Sequence, residues 1–478
     1  MSERGAHIAA PATALFPPPA ERERLTQALV RELAAAAERV AAGPVTPTLD
    51  IEQLRRELDK FDFNTPQALE TLLSWTIAQL EHGLTHLTHP RYFGLFNPAP
   101  SFPAQLADQI AASFNPQLAS VATSPAAVAI EAHVIELMAR RAGLPPGSRG
   151  HFTTSGSEAN ATALVCALTR LEPRFGSEGV RALLGTPTVY LSRDCQPGWF
   201  KVAHQCGIGR AALRLIDTDG RGRLDAAKLA EQLARDRATG AFPVMIAPTA
   251  GTTGAGMIDP LQRCGELARE YGAWFHVDAA WGGALLSSPR LRSLLAGIEQ
   301  ADSVTIDAHK WFAATMGCGM FLTRHPGTAA EAFRVTADFM LSNSEVLDPY
   351  LTTLQWSRRF MGLRLFLSLA AAGWEGYAVH VERAVALIEE LARLLAARGW
   401  WVRNEPRLAV LCAAPPAGSA PVRQIVQRVL RSGSAWVAAT RFEGEDAVRI
   451  CATHGESSEL DLQLLLSALE QARASAPD

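Results

Sequence analysis

The chain has 478 residues, of which 48% are hydrophobic and 19% are charged, as in an ordinary globular protein of two or three domains. Its net charge of −3 and the lack of any basic block argue against nucleic acid or an anionic membrane as a partner. No apolar run reaches the ~20 residues of a membrane span, and the N-terminus lacks a signal-peptide core. Seven scattered cysteines without a CxxC pair favour a reducing cytoplasm over disulfides or a metal site.

Helical periodicity dominates the start of the chain. Apolar residues recur at helical spacing over residues 20–42, and two more helices are predicted over 51–61 and 65–82. We therefore expect residues 1–88 to form an N-terminal helical arm that packs on itself or on a partner subunit.

Short apolar strands alternate with helices in the middle of the chain. This alternation predicts an α/β domain with a mostly parallel sheet, over residues 89–375. The predicted strands are 151–153, 188–191, 244–247, 274–277, 303–307 and 318–322, with helices such as 159–171, 226–235 and 260–271 between them.

The last part of the chain has a different pattern. Two long helices are predicted over 357–373 and 377–398, and from there helices and strands mix. We expect residues 376–478 to form a small α+β domain. Its predicted strands are 401–404, 408–412, 436–441 and 448–450, and its helices are 422–432 and 459–474.

The first chemical signal is the run Asp307-Ala308-His309-Lys310-Trp311, which ends a predicted strand. A lysine that forms a Schiff base needs a rigid support, and burial or nearby cations must keep its amine partly neutral. The alternative is an exposed lysine that merely follows a strand, and this motif alone leaves both readings open.

The second signal is Asp278, which follows the apolar strand 274–277. Ligands of open α/β sheets collect at the carboxyl ends of strands. A pyridoxal cofactor needs a carboxylate near its ring nitrogen, because the protonated ring is the better electron sink. A turn-capping aspartate is the alternative. The 32 positions from Asp278 to Lys310 allow one helix and one strand, so both side chains can reach one crevice.

The third signal is the run Thr154-Ser-Gly-Ser-Glu-Ala-Asn160, which opens a predicted helix. Helix N-termini bind phosphate through their free N–H groups and dipole, and Gly156 allows close approach of the backbone. A plain serine N-cap is the alternative. The phosphate cradle, the carboxylate and the lysine occur in the chain order that a fold for pyridoxal 5′-phosphate (PLP) needs.

Together these motifs resemble the group II PLP-dependent amino acid decarboxylases, which include aromatic-L-amino-acid, glutamate and histidine decarboxylases. The resemblance runs from about Pro17 to the C-terminal domain and is most specific between His89 and Arg359. Segment 89–101 (HPRYFGLFNPAPS), Gly251-Thr252-Thr253 and Ser357-Arg358-Arg359 also match. It implies PLP fold type I, the aspartate aminotransferase fold.

The resemblance implies a role for each matched position. Lys310 would form the Schiff base, Asp278 would pair with the pyridine nitrogen, and His309 would lie beside the phosphate and the substrate carboxylate. The other cofactor positions would be Ser155, Gly156 and Ser157 at the phosphate, Gln196 and Ala280 on the two ring faces, and Thr253 near the 3′ oxygen. The substrate positions would be Leu95, Phe96, Asn97, Pro98 and Arg358.

Two positions depart from the usual family pattern. Most members stack a histidine on the ring, whereas Gln196, followed by Trp199 and Lys201, resembles bacterial glutamate decarboxylases; His204 is the fallback. Phe339 stands where many members carry a loop tyrosine that protonates the substrate carbon after CO₂ leaves. General acid catalysis contributes ~10²–10⁴-fold, so its loss could change the product. Tyr350 or a water could supply the proton instead.

The resemblance thus implies decarboxylation of an L-amino acid or conjugate through an external aldimine and a quinonoid, in a homodimer with shared active sites. With Phe339, O₂ could intercept the carbanion, and the products would be an aldehyde, ammonia and peroxide. A same-fold aminotransferase or lyase, or a non-catalytic PLP-fold protein, are further alternatives. Leu95, where aromatic-amino-acid members commonly have tyrosine, suggests a reshaped pocket, and the substrate stays open.

Overall fold

The computed structural model describes residues 12–335 and 347–474. Three helices come first, as predicted: α1 (Pro19–Ala42), α2 (Ile51–Leu58) and α3 (Leu69–Gly83). α3 begins four residues later than expected, because the Asp62 side chain accepts hydrogen bonds from the backbone N–H groups of Asn64 and Thr65 and holds them in a turn. Two further helices, α4 (Phe102–Phe114) and α5 (Pro125–Arg141), precede the first strand.

A seven-stranded sheet follows. Its strands are β1 (Arg149–Thr153), β2 (Thr186–Ser192), β3 (Leu213–Ile216), β4 (Ala241–Ile246), β5 (Trp274–Asp278), β6 (Ser303–Asp307) and β7 (Gly319–Thr323). Their order is β1-β7-β6-β5-β4-β2-β3, and β7 runs antiparallel to both of its neighbours. The other pairings between β2, β3, β4, β5 and β6 are parallel, which confirms the prediction of a mostly parallel sheet.

Helices connect these strands. They are α6 (Gly156–Leu171), α7 (Phe175–Glu178), α8 (Gly198–Gln205), α9 (Ala226–Ala238), α10 (Leu261–Tyr271) and α11 (Thr328–Phe333). Both faces of the sheet are covered, because successive strand residues belong to two different apolar clusters. Phe321 of β7 packs in one cluster, while its neighbours Met320 and Leu322 pack in the other. This is the layered architecture of fold type I.

The chain then enters a second sheet through the long helix α12 (Gly362–Ala396). As predicted, two helices meet here: Gly373 has a φ of 64° and a ψ of 178°, which are not helical, and it separates a first helical stretch from a second one. The first stretch begins at Gly362 rather than at residue 357, and we label both stretches together as the kinked helix α12. The remaining elements are β8 (Trp401–Val402), β9 (Val410–Ala414), α13 (Val422–Ser432), β10 (Ala438–Phe442), β11 (Glu445–Cys451) and α14 (Glu459–Ala474). The four strands form an antiparallel sheet in the order β10-β11-β9-β8.

Membrane-spanning helices and clusters of metal-ligating side chains are both absent from the described residues. Within residues 12–335 and 347–474, no helix is long and apolar enough to cross a bilayer. The same residues contain no group of three or more His, Cys, Asp or Glu side chains placed to hold a metal ion.

Candidate active site

A cavity of about 240 Å³ lies where β5 and β6 end. Asp278 is the last residue of β5 and Asp307 the last of β6, and the turns that follow them bring Ala280, His309 and Lys310 to the same space. Neighbouring parallel strands end at one edge of a sheet, which is why residues far apart in sequence meet here. The other lining residues are Phe96, Asn97, Ser155, Gly156, Ser157, Asn160, Gln196, Thr249, Gly251, Thr253 and Trp281.

Lys310 reaches into this cavity from the turn after β6. Its Nζ atom lies 3.1 Å from Oδ2 of the buried Asp307 and 5.8 Å from the centre of the Phe96 ring. His309, also buried, has its Nε2 atom 3.8 Å from the same carboxylate oxygen, and its Nδ1 atom is 3.0 Å from the backbone oxygen of Cys318. Oδ1 of Asp307 is buried and has no hydrogen-bond partner among the described residues. The Lys310 side chain is thus largely buried, and the turn after β6 holds its backbone.

Asp278 is buried, and neighbouring donors hold both of its oxygens. The backbone N–H of Ala280 donates to Oδ1 over 3.2 Å, and Nδ2 of Asn160 donates to Oδ2 over 2.9 Å. A carboxylate held by two donors is fixed in orientation. Asp278 therefore presents a carboxylate of fixed orientation to the cavity.

The N-terminus of α6 forms the third wall. Ser155 caps this helix by accepting a hydrogen bond from the backbone N–H of Glu158, and Gly156 is its first residue. A Cβ atom at Gly156 would lie 2.7 Å from Oδ2 of Asp307, so only glycine lets the helix end come this close. The first N–H groups and the dipole of a helix favour an anion at such an end, and the predicted role of this motif in phosphate binding stays a prediction.

The predicted ring-stacking position also faces the cavity. Gln196 lines it, and the side-chain oxygen of Gln196 accepts a short hydrogen bond from the backbone N–H of Gly198 at the start of α8. The fallback, His204, is exposed near the end of α8 and does not line the cavity. Thr253, predicted near the 3′ oxygen, is part of the lining.

The predicted substrate residues divide into two groups. Phe96 and Asn97 line the cavity, and Phe96 stacks on Trp281 with ring centres 4.0 Å apart. Pro98 is buried nearby and Leu95 is 46% exposed, but neither lines the cavity of this chain.

Arg358 is not brought to this cavity. Its Nη1 atom lies 2.6 Å from Oε2 of Glu131, and both side chains are buried. The backbone N–H of Gly362 donates to the other oxygen of Glu131. Arg358 therefore neutralises a buried carboxylate in this chain, and the arrangement gives it no free charge for a substrate.

Phe339, the predicted loop position, lies outside the described residues. Tyr350, the alternative proton donor, is buried against Trp356 with ring centres 4.7 Å apart and does not line the cavity of its own chain.

Sequence reasoning assigned no role to three residues that the structure brings to this region. Asn160 closes the quoted helix motif, and His276 lies two residues before Asp278, but nothing local marks either as functional. Arg449 comes from β11 of the other sheet, and its guanidinium lies 4.7 Å from the Phe96 ring centre. It donates to the backbone oxygens of Gly94 and Thr253, and its buried Nη2 has no hydrogen-bond partner among the described residues.

Comparisons with known proteins agree with this geometry. The sequence profile described as the pyridoxal-dependent decarboxylase conserved domain matches residues 52–412. Tyrosine/DOPA decarboxylase 2 of Papaver somniferum is 28% identical over 382 residues, 77% of this chain and 71% of the relative. 4-Hydroxyphenylacetaldehyde synthase of Rhodiola rosea is 26% identical over 416 residues, 84% of each chain. The crystal structure of mouse CSAD superposes with a TM-score of 0.90 at 26% identity, covering 96% of this chain and 100% of that one.

Proposed function

The chain belongs to the pyridoxal-dependent decarboxylase family, and we propose that it releases the α-carboxylate of an L-amino acid as CO₂ at the cavity between β5, β6 and α6. The enzyme is a PLP-dependent carboxy-lyase of fold type I. The observation that carries the proposal is the meeting of Lys310, Asp278 and the N-terminus of α6 around one cavity.

The residues present fit PLP at both ends of the molecule. The glycine-lined start of α6 suits the phosphate, and the buried Asp278 suits the ring nitrogen. When bound, PLP supplies an electron sink for the electron pair that CO₂ leaves on the substrate carbon. Lys310 would hold the cofactor from the turn after β6.

The chain's own side chains would supply orientation and a dry environment. Phe96, Trp281 and Trp311 form a continuous stack, with ring centres 4.0 and 4.6 Å apart, that shields the cavity from water. Arg449 offers a buried cation beside Phe96, and its Nη2 atom, which has no hydrogen-bond partner in the described part of the chain, is suited to the substrate carboxylate. Asp278 would hold a proton on the ring nitrogen. Such preorganised charges are often the largest contribution to catalysis.

The test is a panel of carboxyl-labelled L-amino acids incubated with the holoenzyme. We expect labelled CO₂ from at least one of them. Transfer of the amino group to a keto acid without CO₂ release would favour a same-fold aminotransferase. A purified protein with no near-visible absorbance of lysine-bound cofactor would favour the non-catalytic alternative and overturn the proposal.

Phe339 favours an aldehyde as a second product. Phe339 carries no hydroxyl to protonate the substrate carbon, and Tyr350 is packed against Trp356 away from the cavity of its chain. One relative of similar length is named an aldehyde synthase. We therefore propose that O₂ competes for the carbanion. Amino acid, O₂ and water would give aldehyde, CO₂, ammonia and hydrogen peroxide, with O₂ as the two-electron oxidant.

Phe339→Tyr tests this directly. Restoring the hydroxyl should raise the ratio of amine to aldehyde by roughly 10²-fold or more, the lower range for a positioned general acid. Amine, aldehyde and peroxide would be measured together on the accepted amino acid, with Phe333→Tyr as a matched aromatic control. Amine as the sole product of the wild-type enzyme would refute the oxidative route.

We also propose that the active enzyme is a homodimer. One face of α4 exposes Phe102, Leu106, Ile110 and Phe114, which are spaced four residues apart. Phe102 is 68% and Phe114 81% exposed in the single chain, which is unfavourable for such large apolar side chains in water. Ser101, the N-cap of α4, directly follows the segment that supplies Phe96 and Asn97 to the cavity.

A further inference from the structure

A chain of four hydrogen bonds runs through buried side chains behind Asp278. Nε1 of Trp274 donates to Oγ of Ser303 over 2.8 Å, and this Oγ lies 2.8 Å from Nδ1 of His276. Nε2 of His276 lies 3.1 Å from Oδ1 of Asn160, whose Nδ2 donates to Asp278 over 2.9 Å. All five residues are at most 6% exposed, so the chain is sealed from bulk water.

The direction of this hydrogen-bond chain follows from its first member. The Trp274 indole N–H can only donate, so the Ser303 oxygen accepts from it and the hydroxyl proton is left for Nδ1 of His276. Nδ1 then accepts, which places the ring proton on Nε2. Nε2 donates to the Asn160 oxygen, and the Asn160 NH₂ group is thereby turned toward Asp278.

The opposite arrangement leaves groups unsatisfied. If Nδ1 of His276 carried the proton, Ser303 would receive two donors, and its own proton would have no acceptor among the described contacts. Nε2, now without a proton, would face the Asn160 oxygen, and both atoms are acceptors. Rotating the Asn160 amide would relieve that contact, but it would place the Asn160 oxygen against the carboxylate oxygen of Asp278. Burial lowers the pKa of His276 to about 4, so the doubly protonated ring is excluded near neutral pH. Thr305 Oγ1, 3.4 Å from Nε2, is only a longer second contact.

We propose that Asn160 and His276 are positioning residues that fix the Asp278 carboxylate as a pure acceptor for the ring nitrogen of the cofactor. This inference rests on the proposed role of Asp278. Both carboxylate oxygens receive donors from the protein, Oδ2 from Asn160 and Oδ1 from the Ala280 N–H. With PLP bound, a proton between Asp278 and the ring nitrogen would therefore be held on the ring side, where it would strengthen the electron sink.

Asn160→Asp keeps the size of the side chain but replaces the NH₂ group that donates to Asp278 with an oxygen, which can only accept when the carboxylate is charged. A carboxylate oxygen would face Asp278, so we expect PLP affinity to fall by about 10–100-fold, the loss typical of a hydrogen bond to a charged group. The near-visible absorbance of the lysine-bound cofactor should shift, and the turnover number for CO₂ release should fall. His276→Gln, which can still donate to Asn160, should be milder than His276→Phe.

Asn404→Asp is the matched control. Asn404 is similarly buried, but among the described residues its side chain bonds to the backbone of Ala255, Val410 and Cys412, away from the cavity lining. This change should lower thermal stability and leave PLP affinity and absorbance unchanged. If Asn160→Asp and His276→Phe behave like this control, the inference is wrong while the proposed function stands. A wild-type protein that binds no PLP would overturn both.

Discussion

Lys310 is one of only four lysines in the chain, which makes its assignment easy to test. Its amine is the one that lines the cavity, held 3.1 Å from Asp307. Borohydride reduction of the PLP-loaded protein followed by peptide mass analysis should place the cofactor on Lys310. Lys310→Ala should abolish this label and lower CO₂ release by roughly 10²–10⁴-fold, the range for a positioned acid–base group.

Lys228→Ala is the control for this change. Lys228 is exposed and pairs with Asp217 at 3.2 Å, far from the cavity lining. Its loss should leave both the label and the activity unchanged. A label found on Lys228, Lys201 or Lys60 would contradict the assignment.

The buried His151 is expected to affect the stability of the protein rather than catalysis. Burial lowers the pKa of His151 to about 3, from an ordinary value of 6.5. Between these values the unfolded chain binds a proton that the folded chain does not, so the unfolding free energy falls as the pH drops below 6.5. At pH 5 this group alone accounts for a loss of up to about 2 kcal/mol.

His151→Phe should flatten this pH dependence. The measurement is the unfolding free energy from urea titrations between pH 7 and pH 5, compared with the wild type. His204→Phe is the control, because His204 is exposed on α8. Equal slopes for the wild type and His151→Phe would show that His151 is not held neutral by burial.

Local motifs predicted the residues that line the cavity from strand ends and from a helix start. Lys310, Asp278 and Gly156 were each marked by a short run whose chemistry could be read locally. Arg449 could not be found in this way, because it comes from a different sheet and no nearby residue pattern marks it. Asn160 and His276 appear as ordinary core residues until the hydrogen bonds that join them are seen.

The kink in α12 depends on the backbone conformation of a single glycine. Gly373 has φ 64° and ψ 178°, a conformation essentially restricted to glycine, and a Cβ atom there would meet no other group. Gly373→Ala should therefore destabilise the protein by about 1–3 kcal/mol through backbone strain alone. Denaturant unfolding would measure the loss.

Gly176→Ala provides the matched comparison. Gly176 also has open space around its Cα atom, but its φ is not positive. This substitution should be neutral or slightly stabilising, because alanine has less freedom than glycine in the unfolded chain. Equal effects at both positions would show that the kink is not strained. We propose that the kink marks the start of the small C-terminal domain, close to the predicted boundary at residue 376.

Element prediction succeeded where apolar periodicity was strong. Strand β6 was predicted over its full range, and helix α13 likewise. The four-residue strand β3 was missed because its alternating pattern, with Arg214 inside it, is too short to distinguish from a loop. The two helices predicted on either side of Gly373 are both present, because the glycine adopts a non-helical conformation where they meet.

The exposed apolar face of α4 allows the proposed dimer to be tested by substitution. Replacing both Ile110 and Phe114 with aspartate would bury two charges in the proposed interface, which costs several kcal/mol without compensating partners. We expect the double variant to sediment as a monomer of half the wild-type mass. CO₂ release should fall by at least about tenfold, because the active sites are proposed to be shared between subunits.

Leu184→Asp controls for the effect of an added surface charge. Leu184 is 88% exposed and lies between α7 and β2, away from α4. It should leave both the mass and the activity of the enzyme unchanged. The outcome that would refute the proposal is a wild-type protein that is monomeric and fully active at assay concentration. A double variant that stays dimeric would place the dimer interface elsewhere. Some other protein surface would then have to cover the exposed apolar face of α4.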